Sequence, residues 1–275
     1  MSNSIEYIHC VIENGYNTCY IDSLFVAMFY NKSVINNVLN KYPDDTRFIY
    51  LQEYIKKKFI EPLNNHFSIG GDIMNHMRNH LHLCGWCENC DLTNQQDISK
   101  FYKFIIDSMS IDYIKFEKIN NNNDKYSYNV PFISLIPTTN IHTIRELLIN
   151  WIDNNIIKNN TYSYMLSNIP QYIVLHIDRF NHNTSNIDIM KHIMLFNVNN
   201  NEQQKLRWCI NSIICFTNNN SDTSGHYYTI LLSNDNKWIL FDDIIIPSFK
   251  YININDINIQ ENIKLECVLL FYIFK

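Results

Sequence analysis

The first half of the chain carries hydrophobic residues at helical spacing. After Thr18, apolar side chains recur every three or four residues, which predicts a helix that begins there. The same spacing recurs over residues 46–63, 71–83, 95–109 and 143–156. We therefore predict that the first half of the chain is mainly helical.

The second half changes to short segments rich in β-branched and aromatic residues, which is typical of strands. These segments are residues 171–180, 191–198, 207–216, 226–233, 237–243 and 266–274. Asn-rich stretches typical of turns separate them. The order predicts an α+β fold in which a helical part is followed by an antiparallel sheet.

Composition and charge narrow the function classes. The 275 residues are 46% hydrophobic, enough for a sizeable core in one large domain or two small ones. A net charge of −5 argues against a general nucleic-acid binder, which would carry a basic face. No apolar run approaches the roughly 18 residues of a membrane span. Eight cysteines without a secretory signal indicate reduced thiols, in the cytoplasm or the nucleus rather than outside the cell.

Cys19 follows a polar cluster, Asn14, Asn17 and Thr18, at the start of the first predicted helix. A cysteine attacks as the thiolate, but a free thiol is mostly protonated at neutral pH. If Thr18 caps the helix, the positive end of the helix dipole would lower the pKa of Cys19. The alternative is a small core thiol, which would not need the polar neighbours. The cluster therefore favours a nucleophile.

A predicted hairpin in the second half offers a base and a carboxylate that could orient it. Pairing Leu232 with Lys237 would place His226 opposite Asp243, with Asp242 one step away. Directly opposed side chains in an antiparallel pair lie about 5 Å apart at Cβ. The hairpin therefore predicts a carboxylate beside His226 without any long-range assumption.

Attack on a carbonyl also needs hydrogen-bond donors for the oxyanion. The backbone N–H of Cys19 and the side-chain amide of Asn14 are candidates, although NGYN is also a good turn sequence. Gly225 precedes His226 and would let a substrate approach the backbone closely. These residues together predict nucleophilic catalysis by a cysteine.

The segments NGYNTCYIDSL and SGHYYTILLSNDNKWILFDD resemble the Cys box and the His box of the ubiquitin-specific proteases. NQQDISKFYKFIIDSM, IPQYIVLHIDRF and ECVLLFYIF resemble three further motifs, in the family's order. The resemblance runs from about residue 7 to the C-terminus. It implies one catalytic domain with a papain-like fold of the ubiquitin-specific protease type. A helical thumb would occupy about residues 1–110, and an antiparallel β palm with reduced fingers about residues 111–275.

The resemblance also implies a reaction, the hydrolysis of the isopeptide or peptide bond after the C-terminal glycine of ubiquitin through a thioester. By it Cys19 is the nucleophile and His226 the general base and then acid. Asp242 orients the histidine, Asp243 assists, and Asn14 stabilises the oxyanion. The expected substrate contacts are Asp97, Gly225, Tyr227 and Phe180. We expect no cofactor, and a monomer whose partners are ubiquitin or ubiquitin-conjugated proteins rather than nucleic acid or a membrane.

The cysteine pattern departs from that of the family, which often binds zinc through paired C-x-x-C motifs in the fingers. No cysteine lies between Cys90 and Cys209, so we expect reduced fingers without that zinc. A second cluster lies outside the finger region and consists of Cys84, Cys87 and Cys90 with His80 or His82. It could hold zinc, or its cysteines could form one stripe of a helix. We assign no metal and keep these three cysteines as the candidates.

Two further departures concern substrate and chemistry. Lys100 stands where the family has a Glu that, with the retained Asp97, faces the basic tail of ubiquitin, so it would repel an arginine there. Asp22 stands where the family has Asn, and an anion one turn from Cys19 would oppose the thiolate unless it points away. A protease for another ubiquitin-like modifier and a non-catalytic ubiquitin-binding module are therefore the alternatives. The small size and the Asn- and Ile-rich composition resemble forms found in large DNA viruses.

Overall fold

The computed structural model describes residues 8, 10–31, 41–87, 94–119, 125–137, 142–154, 163–170, 172–179, 185–199, 202–218 and 225–274. The chain divides into two compact units. The first combines residues up to Ile111 with Ser212–Asp256, and the second combines Asp112–Asn211 with residues from Ile257 onward. The first boundary lies beside the predicted division between thumb and palm, whereas Ser212–Asp256 joins the first unit. The single domain and its parts stay predictions.

Each predicted helical segment contains a described helix, and one further helix near the end of the chain was not predicted. They are α1 (Cys19–Phe29), α2 (Thr46–Ile55), α3 (Glu61–Asn64), α4 (Gly71–Leu83), α5 (Ile98–Ser108), α6 (Ile144–Asn154) and α7 (Ile257–Glu266). A π-helical turn, Lys56–Ile60, separates α2 from α3. Pro62 has no N–H to continue the regular ladder, and the helix predicted over 46–63 is accordingly divided. No described helix has the length and apolarity needed to cross a membrane.

The strands fall mainly in the second half of the chain, as predicted. They are β1 (Ile114–Ile119), β2 (Lys125–Val130), β3 (Ile133–Leu135), β4 (His142–Thr143), β5 (Ser163–Leu166), β6 (Tyr172–Ile177), β7 (Ile187–Asp188), β8 (His192–Asn199), β9 (Glu202–Asn218), β10 (Gly225–Leu232), β11 (Trp238–Phe241), β12 (Phe249–Ile252) and β13 (Cys267–Phe274). All six predicted segments contain a strand. The α+β class is therefore confirmed.

In the first unit, α1 packs against the antiparallel strands formed by the end of β9, β10, β11 and β12. Every residue of α1 is buried, so the helix is the centre of this unit's core rather than an amphipathic surface helix. Thr229 Oγ1 on β10 donates to the carbonyl of Ser23 at 2.9 Å, and Ser212 Oγ on β9 donates to that of Ala27 at 3.0 Å. These bonds fix α1 against the strands.

In the second unit, the first part of β9 pairs with β8, which continues through β5 and β1 to β2. Strand β13 pairs with both β9 and β6, and β6 also pairs with β3, so these strands belong to the same sheet. Arg179 joins α7 to β13 because its guanidinium donates to the carbonyls of Lys264 and Cys267 at 2.8 and 3.1 Å. This unit is held by its own core of buried aromatic and aliphatic side chains.

The β10–β11 register differs from the predicted one by one residue. Leu232 pairs with Trp238, not with Lys237. Ser233 and Lys237 close the turn instead, and Asn236 adopts a left-handed conformation with φ of 60°. A three-residue loop with a left-handed residue is a common hairpin closure, and it shifts every following pair.

Candidate active site

Cys19 is the first residue of α1 and is 5% exposed. The helix begins where the sequence predicts, but the side chain of Thr18 does not cap it. Thr18 Oγ1 instead accepts from the N–H of Gly15 and donates to Asp22 Oδ2, each at 2.8 Å. Thr18 therefore ties the loop before Cys19 to the first turn of the helix.

Burial raises the pKa of the Cys19 thiol to about 12. The N–H of Tyr227 hydrogen-bonds the sulfur and lowers this pKa, but by less than burial raises it. The nearby acids Asp243 and Asp22 raise this pKa further. The net direction is opposite to the one expected from the helix start alone. A thiol of this kind is protonated at neutral pH, so a base must take its proton as attack begins.

His226 and Asp242, the predicted base and its orienting group, are hydrogen-bonded to each other. His226 Nε2 lies 2.9 Å from Asp242 Oδ1, and the two side chains are 12% and 18% exposed. Burial opposes the charge of Asp242, but hydrogen bonds from His226 and from the N–H of Ile244 hold the pKa of this carboxyl below its ordinary value. Asp242 is therefore an ionised acceptor for the imidazole.

The predicted position of Asp243 directly opposite His226 is wrong. Strand β11 ends at Phe241, and the chain turns so that Asp242 makes the hydrogen bond. Asp243 Oδ1 lies farther from His226 Nε2, at 3.7 Å. The shifted hairpin register and the end of the strand explain this outcome.

Cys19 lies beside the strand that carries His226. The N–H that hydrogen-bonds the thiol belongs to Tyr227, the next residue along β10. Since His226 Nε2 is bonded to Asp242, Nδ1 is the ring nitrogen that can exchange a proton with the thiol. The structure thus brings together the three residues that the sequence assigned to proton transfer and attack.

Asn14 is held by Asp243. Asn14 Nδ2 donates to Asp243 Oδ2 at 2.6 Å, and the Asp243 side chain has no exposed surface. An amide nitrogen carries two hydrogens, so one N–H remains for an oxyanion while the other is anchored. Asp243 therefore supports Asn14 rather than the imidazole.

Arg78 is a residue of the site that the sequence interpretation missed. It is 8% exposed, and its Nη1 donates to the carbonyl of Tyr16 at 2.5 Å. Tyr16 and Asn17 both have positive φ, 72° and 53°, directly before the nucleophile's helix. The guanidinium therefore braces a strained turn. The signal in the sequence is a basic residue on the buried apolar stripe of α4.

The predicted substrate residues Gly225 and Tyr227 lie against the segment before α5. The Gly225 N–H donates to Gln95 Oε1 at 2.8 Å, and a side chain at Gly225 would overlap the ring of Phe216. The Tyr227 ring is 7% exposed, and its hydroxyl donates to the carbonyl of Gln96 at 3.3 Å. Both residues hold the start of β10 in place, and their contact with a substrate stays a prediction.

Asp97 begins α5 as its cap. Its Oδ1 accepts from the N–H of Ser99 at 2.7 Å and from that of Lys100 at 3.2 Å. Lys100 itself is exposed. The predicted substrate contact of Asp97 stays a prediction, and Phe180 lies outside the described residues.

The zinc candidates lie only partly within the described residues. Cys90 is outside them, Cys87 is exposed, and Cys84 Sγ donates to the carbonyl of Arg47 at 3.7 Å. Among described side chains, one group of three has potential metal-ligand atoms close together, namely His226, Asp242 and Asp243. Their hydrogen bonds account for that grouping.

Comparisons with known proteins agree with this geometry. The family model described as ubiquitin carboxyl-terminal hydrolase matches residues 10–272. The structure of the SAGA Ubp8/Sgf11/Sus1/Sgf73 DUB module bound to ubiquitin aldehyde is 16% identical, covers 96% of this chain and 69% of that one, and has a TM-score of 0.67. The same module with a Ubp8 variant, bound to monoubiquitin, is 14% identical over 100% of this chain and 72% of that one, with a TM-score of 0.69.

A comparison with curated protein sequences finds no match. The structural similarities establish the papain-like fold of the ubiquitin-specific protease type. The family model covers nearly the whole chain, including Cys19, His226 and Asp242. This protein therefore belongs to the ubiquitin carboxyl-terminal hydrolase family.

Proposed function

We propose that this protein is a cysteine-type deubiquitinase that uses Cys19, His226 and Asp242 to cleave the bond after the C-terminal glycine of ubiquitin. Family membership gives the enzyme class, a thiol-dependent ubiquitinyl hydrolase. The assignment of residues rests on one observation, the 2.9 Å contact between His226 Nε2 and Asp242 Oδ1 next to the helix that begins at Cys19.

In the first half of the reaction, the Cys19 sulfur attacks the carbonyl carbon and the thiol proton passes to His226 Nδ1. Asp242 stabilises the resulting imidazolium through Nε2. The backbone N–H of Cys19 and the remaining N–H of the Asn14 amide donate to the oxyanion. The high pKa of the buried thiol supports proton transfer during attack rather than a thiolate formed beforehand.

In the second half, the C–N bond breaks and His226 gives its proton to the leaving amine. The carbonyl carbon is then a thioester on Cys19. A water molecule gives a proton to His226 and attacks this thioester. The C–S bond breaks, the sulfur regains its proton from His226, and ubiquitin leaves with a C-terminal carboxyl group that loses its remaining proton to solvent.

An alternative substrate is another ubiquitin-like modifier. Lys100 is the residue that favours this alternative. Lys100 is exposed in the first turn of α5, next to Asp97. A basic residue there would repel a basic modifier tail. If the partner is ubiquitin, Lys100→Glu should therefore increase kcat/KM by lowering KM, by up to about fivefold for an exposed ion pair.

The setting of the reaction is part of the proposal. The seven cysteines within the described residues are free thiols, which supports a reducing compartment, the cytoplasm or the nucleus. We further propose a monomer acting on ubiquitin-conjugated proteins. The Asn- and Ile-rich composition supports an origin in a large DNA virus, in which case the substrates would be those of the host cell.

The test is a covalent one. Ubiquitin with a C-terminal electrophile should modify the wild type and Cys10→Ala, which removes another buried thiol, but not Cys19→Ala. A panel of ubiquitin-like modifiers with the same electrophile measures specificity. An adduct with one of those modifiers alone would reassign the substrate. A folded wild type that reacts with none would overturn the proposal in favour of a non-catalytic binding module.

A further inference from the structure

Two buried carboxyl groups face each other behind the catalytic residues. Asp22 of α1 has no exposed surface, and neither does the side chain of Asp243, which follows β11. The two carboxyls are hydrogen-bonding partners. Ionised carboxylates only accept hydrogen bonds, so this bond requires one proton on the pair.

The other partners of the pair indicate which oxygens share that proton. Asp22 Oδ2 accepts from Thr18 Oγ1 at 2.8 Å, and Asp243 Oδ2 accepts from Asn14 Nδ2 at 2.6 Å. The Oδ1 atom of each aspartate is buried without a hydrogen-bond donor among the described residues. A proton between the two Oδ1 atoms gives both of them a hydrogen-bond partner.

The surrounding charges decide which aspartate carries the proton. Burial raises the pKa of the Asp243 carboxyl. The imidazole of His226 at 3.7 Å and the hydrogen bond from Asn14 act against burial and favour the anion. Among the described residues, Asp22 accepts a hydrogen bond only from the Thr18 hydroxyl. Burial, and then the charge of Asp243, raises the pKa of Asp22 well above its ordinary value. Asp22 is therefore the neutral acid of the pair.

We propose that Asp22 is a positioning residue that stays protonated on Oδ1 and donates a hydrogen bond to Asp243, which in turn holds the Asn14 amide for the oxyanion. This inference rests on the proposed function, since it concerns the same site. It resolves the conflict between an aspartate one turn from Cys19 and an attacking sulfur, because a neutral acid does not repel the developing thiolate.

Loss of this proton would place two carboxylates in contact and displace Asp243 from Asn14. The titratable groups that act on the pair are Cys19 and Tyr20 of α1, His226 of β10, Asp242 beyond β11, and Arg78 of α4 through Tyr20. All of them remain when Asp22 alone is replaced. A ratio of variant to wild-type rates therefore reports the titration of the Asp22–Asp243 pair.

Two substitutions separate the donor from the shape of the side chain. Asp22→Leu keeps the branched shape of the side chain, with larger methyl groups in place of the oxygens, but has no donor. Its kcat should fall about tenfold or more, with KM little changed. Asp22→Asn supplies a permanent N–H donor and should recover most of that loss. Its kcat relative to the wild type should rise with pH as the wild-type acid loses its proton. Equal activity of the two variants, or a pH-independent ratio, would overturn the role of the proton.

Two measurements on the free enzyme do not depend on its substrate. A group whose pKa is raised on folding contributes stability that is complete below its unfolded pKa, about 3.9, and is lost as pH rises through its folded pKa. The urea midpoint of Asp22→Asn should therefore increase relative to that of the wild type as pH rises above about 4. An infrared band of a protonated carboxyl at neutral pH should disappear in Asp22→Asn and persist in Asp242→Asn.

These readouts distinguish the two proposals. If ubiquitin reagents fail but the infrared band and the stability difference are present, the proposed function is wrong and the buried acid stands. If the reagents react with Cys19 but parallel stability curves and an unchanged infrared band are found, the protonated Asp22 is overturned and the function stands.

Discussion

The loop that leads into Cys19 and the hairpin that carries His226 differ in what holds them. The loop is fixed by parts of the chain far away in sequence. Ile69 accepts from the N–H of Glu13 at 3.0 Å and donates to the carbonyl of Val11 at 2.8 Å. Arg78 holds the carbonyl of Tyr16 from α4. The position of Cys19 therefore depends on long-range packing.

The hairpin closes its own turn, and Asp242 reaches His226 from within it, although the start of β10 is also held by β9 and by Gln95. Its turn closes through Ser233 and Lys237, with the N–H of Ser233 2.9 Å from the Lys237 carbonyl. Asp242 is then fixed by its own next turn, since its N–H donates to the carbonyl of Ser248 at 2.9 Å. His226 and Asp242 thus meet through contacts within one short stretch of chain.

Because the loop and the hairpin are held differently, substitutions in them should have different effects on activity and stability. A change in the hairpin should remove the chemistry while leaving the fold intact. A change in the loop should move the nucleophile and also weaken the packing that holds it. Activity and stability measured together should separate the two sides.

The largest loss of activity is expected from a substitution in the hairpin that carries His226. Asp242→Asn removes the ionised acceptor of His226 Nε2 and allows the wrong imidazole tautomer, so kcat should fall by about 10²–10⁴-fold. The urea midpoint should change little. Asp235→Asn is the matched control, an exposed aspartate at the tip of the same hairpin, and it should keep its activity. A loss of stability as large as the loss of rate would show that this side is not locally determined.

The sequence made the hairpin partly predictable, since alternating strands and a polar turn are local signals. The register could not be fixed, because it depends on whether Asn236 adopts a left-handed conformation. The contact of Arg78 with Tyr16 and that of Asp22 with Asp243 could not be predicted, because no local sequence pattern indicates which distant segments pack together. Strands β1 and β2 and helix α7 were missed as well. These segments mix charged and apolar residues, and their pairing or packing within the second unit fixes their structure.

A substitution in the loop before Cys19 should lower both the stability and kcat by a moderate amount. A side chain at Gly15 would lie 2.6 Å from the carbonyl oxygen of Gly71 and 2.9 Å from the N–H nitrogen of Asn75. Both are backbone atoms that cannot move aside. Gly15→Ala should therefore lower the free energy of unfolding by about 1–3 kcal/mol and lower kcat about tenfold.

Gly70→Ala is the matched control for that prediction. The nearest atom to a new side chain at Gly70 is Asp72 Oδ1 at 2.7 Å, at the end of a flexible side chain. The control should remain close to the wild type in chemical denaturation and in turnover of a fluorogenic ubiquitin substrate. If Gly15→Ala behaves like Gly70→Ala, the loop is less tightly held than its contacts indicate.

The smallest change in stability and kcat is expected when one residue of the loop and one residue of the hairpin, both with the same backbone conformation, are replaced. Asn17 has φ of 53° in the loop and Asn236 has φ of 60° in the hairpin turn. Glycine accepts this conformation but adds freedom to the unfolded chain, so each Asn→Gly change should alter the free energy of unfolding by less than about 1 kcal/mol. Asn17→Gly should nevertheless lower kcat a few-fold, because the loop it loosens ends at the nucleophile two residues later. Asn236→Gly should not, because the strand pairs between the turn and His226 absorb the change. Equal kcat values for the two variants would contradict the view that the loop and the hairpin position their residues in different ways.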